Sequence, residues 1–212
     1  MCSGRVDMAF VLRAFAKGAD GVFIGGCWLG ECHYVTEGNY DALSMMHLSR
    51  KVLEQVGVNP ERLRLEWISG SEGMRYAEVM NDFGKQLKVL GPIGVAEGIS
   101  ETGLKLKFEA VKKILPFLKL VERERLRVKF KTEEEYNDFF SSDEVDRLIR
   151  ELVAEKLAIS QITTLLGRNP LSTREISEVL HLEPSDVARY LNSSARQGLV
   201  RYDTTHKHYA IA

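Results

Sequence analysis

The chain has 212 residues and little of what would assign it quickly to a functional class. It holds no apolar run near the roughly 18–20 residues of a membrane span, and its first residues lack the basic, apolar, small-residue order of a secretion signal. Both absences point to the cytoplasm. It also contains no G-x-x-x-x-G-K phosphate loop and no G-x-G-x-x-G fingerprint, and no nucleophile, base and acid stand out as a set. Catalysis by this chain alone is not expected. Lys and Arg number 29 against 30 Asp and Glu, a formal net charge of -1, so there is no global attraction to nucleic acid or to an anionic membrane surface. No internal repeat or low-complexity tract is evident. A hydrophobic fraction of 44% suffices for an ordinary core, and the length suits two small domains.

Cysteine is scarce too, but its placement is informative. The only three, Cys2, Cys27 and Cys32, fall in the first 32 residues. An odd number clustered in one region reads as ligands or reactive thiols before a disulfide framework. Three is one short of the four ligands that a zinc or iron-sulfur site normally takes.

Along the chain, Met8, Val11, Leu12 and Phe15 recur at helical spacing, which predicts a helix over residues 7–17 ended by Gly18. Residues 20–25 are a short apolar run bounded by glycines and read as a buried parallel strand. The carboxyl end of that strand delivers Cys27, and in open α/β sheets ligands bind beyond the carboxyl ends of strands. Asn39 is placed to cap a helix over 40–55, residues 63–68 alternate as a second strand, and 69–72 resemble a cap for a third helix over 72–90. The pattern predicts a small α/β unit. From 93 to 140 the composition loosens: residues 104–120 are a lysine-rich helical pattern interrupted by Pro116, 121–131 are densely charged, and Thr132 to Glu135 has capping-box form. Charges of this kind read as a solvated face, and the passage as a connector lying against a partner. Residues 143–166 are amphipathic. Ser172 or Thr173 then caps a helix, Pro184 starts the next, over 185–197, and two short strands flank 203–206. Helix, helix-turn-helix and a two-stranded wing predict a winged-helix domain.

The fold class expected is therefore α/β, a small parallel-sheet three-layer domain over residues 1–92, a helical connector over 93–140, and a winged-helix domain over 141–212. A winged helix can set its second helix in the major groove, here presenting Arg189, Asn192 and Arg196. From residue 168 onward, however, roughly six basic residues face five acidic ones, without the excess that phosphate neutralisation requires, and docking is the better reading.

The C-x4-C spacing of Cys27 and Cys32 after a strand is that of plant-type [2Fe-2S] ferredoxins. Flanking glycines let backbone amides approach inorganic sulfur. The residues alone leave an iron-sulfur or other metal site, a redox thiol and inert buried cysteines open. His33, adjacent to Cys32, reads as a supporting histidine rather than a ligand. Trp28 either covers the site or packs on a partner, and Met45, Met46 and Met74 read as core.

Cys2-Ser3-Gly4-Arg5-Val6-Asp7, Gly18-Ala19-Asp20-Gly21-Val22, Gly26-Cys27, Glu31-Cys32-His33-Tyr34, Gly38-Asn39 and Glu61-Arg62-Leu63-Arg64-Leu65-Glu66-Trp67-Ile68-Ser69 together resemble the delta subunit family of methyl-viologen-reducing hydrogenase, over residues 2–92. The resemblance implies a [2Fe-2S] electron-transfer subunit with Cys2, Cys27 and Cys32 as cluster ligands. It implies a relay between a hydrogenase, formate dehydrogenase or NADH-oxidising module and a heterodisulfide-reductase-like flavoprotein subunit of an electron-bifurcating complex. Family members normally begin with a further strand and loop carrying a C-x-x-C pair, which this chain lacks. The expectation is that sequence lies upstream, as an internal start after a selenocysteine codon would leave it, or that the fourth ligand comes from another chain, or that the cluster is absent. The competing readings are a redox-sensing winged-helix transcription factor and a cluster-free docking subunit.

Overall fold

A computed structural model describes residues 2–35 and 37–212. After a 3-10 turn, Ser3–Arg5, the first helix α1 spans Met8–Ala16. Asp7 starts it by accepting a hydrogen bond from the Ala9 N–H, and Met8, Val11, Leu12 and Phe15 are buried, as their spacing predicts. Strands β1 (Val22–Gly26) and β2 (Leu63–Trp67) pair in parallel, with Val22 opposite Leu63 and Gly26 opposite Trp67. Helix α2 (Asn39–Val56) connects them and α3 (Gly73–Leu90) follows.

Strand alternation decides which helix covers which face of this two-stranded sheet. Val22, Ile24, Leu63 and Leu65 join α1 and α2 in the main core. Phe23 points the other way, its ring 6.3 Å from Tyr76 and 6.1 Å from Phe83 of α3. Helices thus lie on both faces, around a parallel sheet as small as the sequence implies.

A buried ion pair joins this unit to the remainder. Arg62, just ahead of β2, is wholly buried and donates to Glu97 at 2.7 Å and to the carbonyls of Asp20, Leu90 and Gly91. Glu97 also accepts from the backbone N–H groups of Asn59 and Gly94. Burial alone would raise the Glu97 carboxyl, but the bonds from Arg62 and Asn59 outweigh it and hold it below the usual carboxylate range.

Helix α4 (Glu101–Val121) runs unbroken through Pro116, a correction to the interruption expected there. An interior proline forfeits a hydrogen bond and costs about 3 kcal/mol. Burial of Phe108, Val111, Leu118 and Val121 along the same helix offsets that cost. The Phe108 ring stacks on Phe15 of α1 at 6.4 Å. A π turn, Glu122–Leu126, ends α4, and α5 (Glu133–Phe140) opens with the Thr132/Glu135 capping box. Helix α6 (Asp143–Ile149) passes through a π turn, Arg150–Ala154, into α7 (Glu155–Leu166), so residues 143–166 are helical as their periodicity indicates. The cap of α8 (Thr173–Leu180) is Ser172, with Glu175 closing the box, and Pro184 starts α9 (Pro184–Arg196). An antiparallel hairpin of β3 (Val200–Asp203) and β4 (His208–Ile211) completes the chain.

Two cores result. The larger runs from Met8 to Leu157, and the smaller unites α7, α8, α9 and β3 with Leu106 of α4. Helix α4 serves both. No helix among the described residues is long and apolar enough to cross a membrane.

The buried polar groups make the stability of this fold testable at two positions. Arg62→Met strands a buried carboxylate and the four carbonyls of Asp20, Leu90, Gly91 and Pro92, and urea denaturation at pH 7 is expected to show a loss of about 3–5 kcal/mol. His47 of α2 stacks on Phe140 at 4.8 Å, and burial, with Arg50 and Lys51 nearby, lowers its pKa to about 4. The unfolded chain takes up this proton near pH 6.5 while the folded chain resists it, so stability falls as pH drops from about 6.5 to about 4, by about 3 kcal/mol. In His47→Phe, which keeps the stacking, that part of the pH dependence should vanish from denaturation curves.

Candidate functional site

The three thiols come from three separate stretches. Cys2 precedes the first 3-10 turn, Cys27 follows the carboxyl end of β1, and Cys32 lies in the loop leading to α2. The Sγ atoms of Cys2 and Cys32 are 3.5 Å apart, and Cys27 is close enough for its thiol to couple electrostatically to both. All three are free. The folding therefore gathers all the cysteines of the sequence at one place.

Their protonation differs. Burial penalises the Cys32 thiolate, but the backbone N–H groups of Asn39 and Tyr34, together with the thiols of Cys2 and Cys27, outweigh that penalty and lower its pKa. Asn39 is the first residue of α2, so this thiol sits on free amides at a helix N-terminus, a setting that favours a thiolate. Burial raises the Cys27 pKa, and the neighbouring Cys32 and Cys2 raise it further.

Two glycines make the convergence possible. A Cβ on Gly38 would lie 2.5 Å from the Cys32 sulfur and 3.1 Å from the Cys2 sulfur, and its φ of +66° disfavours any other residue. A Cβ on Gly4 would meet the Gly38 carbonyl oxygen at 2.3 Å. Only bare backbone lets the amino-terminal turn close onto the start of α2.

Asn39 departs from its expected role. Its side chain caps nothing in α2; the N-cap is Gly38. The carboxamide instead donates to the carbonyls of Cys27 at 2.9 Å and Trp28 at 2.8 Å, holding the cysteine loop against α2. Its Oδ1 and the hydroxyl of Ser3 are buried and have no hydrogen-bond partner among the described residues. Trp28 is fixed by α3: its indole N–H donates to Glu72 at 2.8 Å and Arg75 stacks on its ring at 4.9 Å. Glu72 also accepts from the Ser69 N–H, and both bonds lower its pKa. The stretch 69–72 thus acts as a clamp on Trp28 as well as an approach to α3.

His33 is exposed and packs edge-on against Tyr34 at 5.3 Å. Met45 and Met46 are core, as their helical spacing implies, whereas Met74 is 82% exposed, a correction to its assignment as core. Sequence reasoning placed Gly38 in a family motif and Glu72 in a capping stretch but did not find the role either plays here. A glycine immediately ahead of a helix was the available signal for the first; for the second there was none, because its partner is 44 residues away.

Among the described residues no group of three or more His, Cys, Asp and Glu side chains is spaced for a single metal ion. What the fold brings together here is three thiols, the amides of Tyr34 and Asn39, and the bare backbone of Gly4 and Gly38.

Residues 1–91 match the family described as methyl-viologen-reducing hydrogenase, delta subunit. The iron-sulfur subunit of the F420-non-reducing hydrogenase of Archaeoglobus profundus is 56% identical over 91 residues, 43% of this chain and 66% of that protein. The corresponding iron-sulfur subunit of the vhc F420-non-reducing hydrogenase of Methanococcus voltae is 45% identical over 97 residues, 46% of this chain and 67% of that one. One component of the ferredoxin/F(420)H(2)-dependent CoB-CoM heterodisulfide reductase of Methanosarcina acetivorans is 48% identical over 94 residues, 44% of this chain but only 12% of that protein. The chain thus spans about two thirds of the hydrogenase proteins it matches, and the family match ends ahead of α4. Through its first 91 residues the chain belongs to the methyl-viologen-reducing hydrogenase delta subunit family.

Proposed function

We propose that the protein is a [2Fe-2S] electron-transfer subunit in which Cys2, Cys27 and Cys32 supply thiolate ligands. The observation that carries this reading is the convergence of all three cysteines, with Cys2 and Cys32 in sulfur contact, beneath the amides that open α2. Two relatives are named as iron-sulfur subunits, which supports an iron-sulfur cofactor here. The C-x4-C spacing favours the two-iron type. The fourth ligand comes from outside these three cysteines.

When bound, the cluster supplies reversible one-electron transfer. The chain's own groups do the rest. The Asn39 and Tyr34 amides stabilise the Cys32 thiolate, the Asn39 carboxamide fixes the Cys27 loop, and Glu72 and Arg75 pin Trp28, the next residue of that loop. No acid or base is required, in keeping with the lack of a catalytic set.

The partners proposed are a hydrogenase, formate dehydrogenase or NADH-oxidising module on one side and a heterodisulfide-reductase-like flavoprotein on the other, in a cytoplasmic electron-bifurcating complex. The names of the relatives support a hydrogenase and a heterodisulfide reductase. Residues 141–212 are proposed as a winged-helix docking domain, supported by the order α8, α9 and hairpin. DNA reading is disfavoured because residues 168–212 carry roughly six basic against five acidic side chains, without the cationic excess that phosphate contacts need.

Anaerobic purification with iron and sulfide quantitation, followed by electron paramagnetic resonance of the reduced protein, tests the proposal. A two-iron signal that is lost in Cys27→Ser and Cys32→Ser is expected. A folded, iron-free chain that binds duplex DNA with a steep salt slope would sink it. Gly38→Ala forces a methyl group into the sulfur contact and is expected to weaken iron retention roughly ten-fold or more while circular dichroism stays unchanged.

A further inference from the structure

Helices α1 and α4 lie side by side and leave a groove of about 490 Å3 between them. This is within the roughly 300–1,000 Å3 of ligand-sized clefts. Its floor is apolar, built from Leu12 of α1 with Phe108, Val111 and Leu115 of α4. Phe10 stands at its edge, 55% exposed, with the Arg13 guanidinium 5.4 Å from its ring centre. A large aromatic side chain left this open, on a helix that buries its other large apolar residues, Met8, Val11, Leu12 and Phe15, is an unfilled contact.

The rim is predominantly cationic. Arg13 and Lys17 line the α1 side, and Lys105 and Lys112 the α4 side. The acidic residue of the lining, Glu109, is bonded to Arg168 at 3.1 Å. Lys105 is paired with Glu101, while Arg13, Lys17 and Lys112 make no ion pair among the described residues. In a chain whose net charge is only -1, this is a local cationic concentration along both edges of an apolar channel. From Ala9 to Lys17 the channel follows α1 for about 12 Å, two to three helical turns.

We propose that this groove docks an acidic amphipathic helix of a partner protein. Its apolar face would sit on Phe10 and Leu115, over the buried floor of the groove, and its carboxylates would face the cations on the two rims, the helix-in-groove mode. Charge complementarity selects the occupant. A flat anionic lipid surface fits less well, because the cations line two opposed edges of a channel. The acidic helix of this chain, α5, is not free to fill the groove of a second copy, since its Tyr136 and Phe140 are already buried in the main core. The groove pairs α1, inside the family match, with α4, outside it. It is therefore a surface that the family part alone does not form, and it does not depend on what the three thiols hold.

Fluorescence anisotropy on the full-length protein tests this with a fluorescein-labelled synthetic peptide of about 14 residues, four helical turns. Leucines at i, i+3, i+4 and i+7 form one face and glutamates fill the rest. The control has every glutamate replaced by lysine. The acidic peptide should bind at least roughly ten-fold more tightly than the basic one. Its affinity should fall roughly ten-fold in Lys17→Glu/Lys112→Glu, both exposed positions, and also in Phe10→Ser. Equal binding of the two peptides, binding of neither, or indifference to these variants overturns the proposal. So does a dimer in sedimentation velocity that the double variant dissociates, which assigns the groove to a second copy. Flotation with phosphatidylglycerol vesicles that the double variant abolishes overturns it in favour of lipid.

Discussion

The Arg62–Glu97 pair is the contact on which most of the arrangement depends. One guanidinium, wholly buried, gathers the start of β2, the residue leading into β1, the end of α3 and the turn ahead of α4. Such a pair gives little net stability, because desolvation consumes most of its Coulombic gain, but leaving either partner alone is costly. Its effect is geometric. By fixing where both strands begin, it fixes where they end, and the end of β1 is where Cys27 emerges. By holding Gly94 and Asn59 through the same carboxylate, it also sets the direction in which α4 leaves the family part.

The thiol site is built from the opposite kind of contact. It rests on absence of bulk at Gly4 and Gly38 and on hydrogen bonds that compete with burial. Cys27 and Cys32 are pushed apart in pKa by where each sits: burial and the neighbouring thiols raise Cys27, whereas at Cys32 the amides of Asn39 and Tyr34 and the neighbouring thiols outweigh burial. Ionising one of these thiols makes ionising its neighbours harder, which is why Cys27 and Cys32 shift in opposite directions.

Beyond residue 91, α4 decides the organisation. It belongs to both cores, through Phe108 against α1 and through Leu106 against the helices that precede the hairpin. Burial on two sides explains why Pro116 leaves the helix intact. It also explains why the face between α1 and α4 is a groove: each helix spends its apolar stripe inward, and Phe10 is left where neither core reaches.

Much of this was legible in the residues. The period of 3.6 in residues 7–17 and 143–166, the capping boxes at Thr132 and Ser172, and Pro184 at a helix start are local signals, read correctly because the backbone answers to its nearest neighbours. The confinement of all three cysteines to the first 32 residues pointed to the candidate site, and the quoted motifs named the family. What the sequence by itself determined, then, was the order and kind of elements and the residues to watch. Only tertiary structure decided that Asn39 would hold the cysteine loop rather than cap α2, that Pro116 would be absorbed, that Met74 would face solvent, and that Glu72 would pin Trp28. The physical reason is the same for each. Those outcomes depend on partners distant in sequence, whose burial and hydrogen bonding outweigh propensities that are worth only fractions of a kcal/mol to a few kcal/mol per residue.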